Sequence, residues 1–95
     1  MKIADRATQK LNEAFHPSVL ELVDESELHR GHGGYREGGE THFRLLIVSD
    51  VFEGQNRVAR QRSIYDLLKD EIEERIHALQ ISARTVAEHA AQKSN

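Results

Sequence analysis

The stretch "THFRLLIVSD", Thr41 to Asp50, is apolar on both sides of an extended chain: Phe43, Leu45 and Ile47 fall on one face, Leu46 and Val48 on the other. A strand of that kind needs cover on both faces, so it is expected at the centre of a sheet. A chain of 95 residues limits what can supply the cover. It buries a modest share of its surface, which leaves room for one small sheet and a few helices in a single domain over 1–95.

The rest of the chain divides around that strand. In "MKIADRATQKLNEAF", Ile3, Ala7, Leu11 and Ala14/Phe15 recur at helical spacing, and Pro17 stops the pattern because the residue before proline is pushed out of the helical region. "SVLELVDES" reads as a short strand. After Gly54, Asn56 can cap a helix over "RVARQRSIYDLLKDEIEER", expected to be the longest, with Val58, Tyr65, Leu68 and Ile72 along its apolar stripe. "IHALQISA" alternates His77, Leu79 and Ile81 against Ile76, Ala78 and Gln80. Thr85 and Glu88 then form a capping box before "VAEHAAQK".

The order is α-β-β-α-β-α, an α+β fold with a three-stranded mixed sheet. Strands one and two should pair antiparallel, and strands two and three, joined by a helix, should run parallel with a right-handed crossover. The core should draw on Phe43, Leu45, Ile47, Tyr65, Leu68, Leu79 and Ile81.

Composition removes several chemistries. With no cysteine, the chain has no disulfide, no thiol nucleophile and no thiolate metal site of its own, so any metal is held by His or carboxylates or with a partner's help. A net charge of -3 gives no global basic field for nucleic acid. No Ser-His-Asp set, paired-carboxylate arrangement or phosphate loop is suggested, and the chain is expected not to be an enzyme. The longest apolar run is far short of the ~20 residues of a membrane span, and the N-terminus lacks a signal peptide's apolar core; a cytoplasmic protein is expected.

Between the first two strands lies "ESELHRGHGGYREGGETHF", which holds His29, His32 and His42 together with five of the six glycines. From the residues alone, His29 reads first as a solvated loop residue and His77 as a half-buried structural one, with metal ligation the other reading of each. Gly31 to Gly34 form a Gly-x-x-Gly, but between strands rather than between the helices where a KH loop clamps nucleic acid. Arg57, Arg60 and Arg62 make the one concentrated positive patch. Cations at a helix N-terminus oppose the dipole, so the patch is either a solvated face or a place where an anion or acidic partner is met.

The element order is that of the type II KH arrangement, and the motifs narrow it. The chain resembles BolA-family proteins: "ESELHRGH" is similar to the family's Ser-x-x-His-x-Gly-His loop, and Glu40-Thr41-His42-Phe43, Ser49, Phe52-x-Gly54 and His77-Ala78-Leu79 follow in order. It departs at Arg60-Gln61-Arg62, where many members carry Arg-His-Arg. The resemblance covers roughly residues 5–88. It implies a BolA-like domain that pairs as a heterodimer with a monothiol glutaredoxin and holds a bridging two-iron, two-sulfur cluster shared with the glutaredoxin cysteine and glutathione. On this sequence the implied ligands are His77 and His29, with His32 as the alternate to His29 and His42 in a supporting, ligand-orienting role. Imidazole in place of thiolate on one iron gives a Rieske-like coordination. Iron-sulfur trafficking and iron or redox regulation are the implied settings. A DNA-binding regulator of transcription is the alternative.

Overall fold

A computed structural model describes residues 2–29 and 38–93. Helix α1 spans Ile3–Phe15 and buries Ile3, Ala7, Leu11 and Phe15, the i, i+4 row of one helical face. It ends where His16 turns left-handed at φ 44° and its amide N–H bonds back to Asn12 O, just before Pro17.

Strand β1, Val19–Asp24, leads into a 3-10 turn at Ser26–His29, and β2 follows at His42–Val48. β1 pairs antiparallel with β2 from Val19↔Val48 to Asp24↔Phe43, and β3, Ala78–Arg84, pairs parallel with β2 from His42↔Ala78 to Val48↔Arg84. β2 is therefore central, as its two apolar faces require. One face presents Leu20, Leu22, Phe43, Leu45, Ile47, Leu79, Ile81 and Ala83 to α1 and the helices after β2, and this is where the core sits. His42, Arg44, Leu46 and Val48 lie on the other.

A second 3-10 turn at Asp50–Phe52 is capped by the Ser49 hydroxyl, which accepts from Val51 N and donates to Phe15 O, and buries Phe52 against the Phe15 ring. Asn56 then caps the next helix by accepting from Ala59 N.

That helix departs from the expected continuous one. It is α2, Arg57–Leu67, followed by α3, Lys69–Glu74, with Leu68 between them at φ -98° and ψ 18°. Leu68 N still donates to Ile64 O and Ile72 N to Leu68 O, so the helix is distorted rather than cut. At 13 residues α1 is longer than either piece.

The buried row is Ile64, Leu68 and Glu71. Val58 is 63% exposed and Tyr65 40%, so Tyr65 is not a core residue and the expected stripe is rotated. A glutamate in a core-facing position hid the true face. Glu71 is fully buried, with Arg6 Nη2 and Lys10 Nζ of α1 each 2.9 Å from its carboxylate. Burial pushes its carboxyl up, but the hydrogen bond from Lys10, a backbone N–H and the charges of Lys10 and Arg6 outweigh that and hold it below the usual carboxylate range.

Tyr65 has another use. Arg84 O accepts from Ser49 N beyond β2, so by alternation Leu79, Ile81 and Ala83 turn their backbone groups to the sheet's outer edge. The Tyr65 hydroxyl donates to Leu79 O at 2.9 Å and Arg60 Nη1 to Ala83 O at 3.1 Å. α2 thereby blunts an edge that would otherwise invite another strand.

Candidate metal half-site at one end of the sheet

The topology gathers three chain segments at one end of the sheet. β1 finishes there, β2 starts there, and β3, parallel to β2, also starts there. These segments carry the turn that ends at His29, then Thr41–His42, and then His77. The side chain of His29 and all of His32 lie outside the described residues.

His77 is exposed and sits one residue ahead of β3. The alternation expected from Ile76 onward begins only at Ala78: Ile76 is buried in the core and its N–H closes back onto Glu71 O, so the chain bends at His77 before becoming extended. The His77 N–H donates to Thr41 O at 2.7 Å, and Ala78 N adds a second bond to the same carbonyl at 3.1 Å. The backbone of His77 is held while its ring faces solvent.

His42 lies beside it, with ring centroids 5.3 Å apart and a tilt of 50°. Unlike His77 it is 5% exposed, and its Nδ1 is 2.8 Å from Thr41 Oγ1. A ring so enclosed suits the support of a neighbour better than access to a metal.

Under these histidines runs a chain of polar groups that sequence reading did not single out. The Ser26 hydroxyl donates to Asp24 Oδ1 and accepts from Thr41 N at 2.9 Å and His42 N at 3.2 Å. Asp24 also accepts from Ser26 N and, through Oδ2, from Glu40 N at 3.0 Å. Burial raises the Asp24 carboxyl, but the Ser26 hydroxyl, the Ser26 and Glu40 amides and the Arg75 charge together lower it below the usual range. The one signal available was the Ser of Ser-x-x-His, whose partner lies 15 residues away across the loop.

The arginines divide. Arg60 has a side chain only 11% exposed; it pairs with both carboxylate oxygens of Glu88, donates to Gln55 O and Ala83 O, and lies 5.8 Å from the Phe52 ring centroid. Its guanidinium is committed to tying α2 to β3 and to the last helix, α4, Val86–Lys93, rather than offered to an anion. Arg57 and Arg62 are exposed. Arg57 and Arg84 line an open groove of about 480 Å³ between α2, β3 and α4. It borders the C-terminal end of β3, opposite to His77.

The donor set tests what this end could hold. Among the described residues no group of three or more His, Asp or Glu side chains could hold a metal ion, and there is no cysteine. One exposed imidazole next to a histidine-bearing turn, among the described residues, is a donor set that suits half of a shared site.

An α-β-β-α-β-α domain with this strand order and a histidine-bearing end is the class that the geometry defines. The BolA-like protein family matches residues 11–88, and the chain belongs to the BolA family. It is 40% identical to the DNA-binding transcriptional regulator BolA of Escherichia coli over 93% of this chain and 80% of that one. Its fold is similar to BolA1 from Arabidopsis thaliana, with a TM-score of 0.81, 36% identity and coverage of 93% and 96%. The BolA domain of SufE1 from Arabidopsis superposes with a TM-score of 0.80 and 49% identity over 88% and 92%. In the full SufE-like protein 1 the matching region is 24% of the length. Among the described residues no helix is long and apolar enough to cross a membrane.

Proposed function

We propose that the chain is an adaptor that pairs with a monothiol glutaredoxin and completes the coordination of a bridging two-iron, two-sulfur cluster. The observation that carries this is His77: a solvent-facing imidazole on a backbone fixed by two hydrogen bonds, at the same end as the turn ending at His29, in a chain without thiols. His77 and His29 would supply imidazole to one iron, with His32 as the alternate to His29. The glutaredoxin cysteine and glutathione would supply sulfur to the other. Such a cluster carries electrons, or is itself passed on, and imidazole ligation raises its potential relative to an all-thiolate one. This chain's own contribution is to present the imidazoles, with His42 packed against His77 as support.

The test is the visible absorption of the chain mixed with cluster-loaded monothiol glutaredoxin. His77→Ala should abolish or greatly alter the mixed-ligand spectrum, and His29→Ala should weaken or shift it. Heterodimer formation without the cluster should survive both. An unchanged His77→Ala spectrum removes the reading.

The name of the Escherichia coli relative supports a second reading, DNA binding, for which Arg57 and Arg62 are exposed cations on one helix. The net charge of -3 and the internal pairing of Arg60 weigh against it. Duplex DNA titrated over a salt series separates the two, since phosphate contacts give affinity a steep salt slope.

A further inference from the structure

We infer that Ser26, held by Asp24, is the positioning residue that sets the spacing between the two histidine stations. This rests on the metal reading of His77. A serine hydroxyl has one proton and two lone pairs. All three are used: the proton goes to Asp24, and the lone pairs take the amides of Thr41 and His42. The path from Ser26 to His77 is then a single residue long, because Thr41 receives Ser26 through its N–H and binds the His77 N–H through its C=O. Ser26 is also the first residue of the turn that ends at His29. One buried hydroxyl, 1% exposed, therefore ties together all three histidine-bearing segments.

Thr41 Oγ1 lies 3.3 Å from Ser26 Oγ and 2.8 Å from His42 Nδ1. Through Thr41 Oγ1 the junction thus reaches the His42 ring that packs on His77. Asp24 straddles the roots of the loop by reaching both Ser26 and Glu40 N, and Arg75 Nε donates to Gly39 O at 2.7 Å from the segment that leads to His77. Gly39, at φ 73°, is in a conformation that side-chain-bearing residues rarely adopt, and a Cβ there would stand 3.3 Å from Asp24 Oδ2, close enough that the carboxylate would have to give. Joining two strands does not require a junction this fully satisfied. It reaches the backbone amides of both His42 and His77, which is where an error of an ångström in ligand placement would matter.

Nickel ion, which imidazole binds readily, reads the spacing without any partner. In the free wild-type chain, nickel should broaden the NMR ring signals of His29 and His77 together. Ser26→Ala should remain folded by circular dichroism, lose roughly 10- to 100-fold in nickel affinity, as outer-shell changes at metal sites do, and show broadening at one ring only. Asp24→Asn, which keeps an oxygen for Ser26 but disturbs the Glu40 contact, should fall between the two and serves if Ser26→Ala does not fold. Thr85→Ala breaks the cap of α4 at the other end of β3, so it weakens the fold without touching the junction and should bind nickel as wild type does. Wild-type affinity with joint broadening in both junction variants overturns the inference. So does an equal loss in Thr85→Ala, or a wild-type chain in which the two rings do not respond together. A wild-type chain that shows joint nickel broadening but forms no chromophore with glutaredoxin overturns the functional reading alone.

Discussion

Glu71 shows how a single side chain decides the pairing of two helices. Its carboxylate is taken wholly out of water and meets Lys10 and Arg6, whose side chains are 34% and 32% exposed. The penalty thus falls mainly on the acid, and the two cations keep part of their hydration. Arg6→Ala with Lys10→Ala should cost about 3–5 kcal/mol in urea unfolding, because a buried carboxylate is left without compensation. Glu71→Leu should stay within about 1 kcal/mol of wild type, since the cations can turn to water and the position already faces the core. A larger loss in Glu71→Leu than in the double variant would show that the ion pairs themselves, and not the compensation of burial, hold α1 to α3. The histidines, by contrast, were legible as residues. Their types and spacing mark an imidazole-rich loop, whereas Ser26 is marked only by its place in Ser-x-x-His, because the amides it receives, those of Thr41 and His42, come from the far side of that loop.

The sheet was readable in advance for a reason visible in β2: a strand with two apolar faces has to be central, and the short helix-bearing crossover then makes β3 parallel to it. The helix after β2 was not readable to the same degree. Tyr65 and Ile64 are adjacent and both apolar, and periodicity alone could not choose between them once Glu71 occupied the inner row. The capping box of α4 was readable, since Thr85 N donates to Glu88 Oε1 at 2.8 Å and Glu88 N to Thr85 Oγ1 at 3.1 Å. Thr85→Ala should cost about 0.5–2 kcal/mol of stability in urea. The Arg60 guanidinium and the Thr85 amide hold the Glu88 carboxyl down to about 2 from its ordinary 4.5. A depressed carboxyl stabilises the fold fully above its unfolded value and loses that contribution as pH falls through its folded one, because the unfolded chain takes up the proton first. Melting temperature should therefore drop between about pH 4.5 and 2. Glu88→Gln should flatten part of that drop; Asp24 and Glu71, both also lowered, leave the remainder. A melting profile for Glu88→Gln that parallels wild type throughout would show that the pair with Arg60 adds nothing.

At the scale of the whole molecule, the two chemically distinctive regions stand at opposite ends of one strand. β3 runs seven residues from Ala78, next to His77, to Arg84, which lines the groove with Arg57. At ~3.3 Å per residue the two ends are about 20 Å apart. Sites farther apart than about 7–10 Å and without shared partners act additively. Arg57→Ala with Arg62→Ala should consequently leave the spectrum of the proposed glutaredoxin complex unchanged, and His77→Ala should leave any duplex DNA affinity unchanged. If DNA is bound, the arginine pair should lower affinity across sequences and reduce the salt slope by about 0.9 for each phosphate no longer neutralised. Arg60→Ala should behave differently from its neighbours. Its side chain joins α2 to β3 and α4, so its removal should appear as a lower melting temperature first. A triple arginine variant that retains wild-type stability would mean that Arg60 is free to meet a ligand after all. A change in the cluster spectrum on Arg57→Ala with Arg62→Ala would mean that the partner reaches along the whole length of β3 and that the two ends belong to one interface.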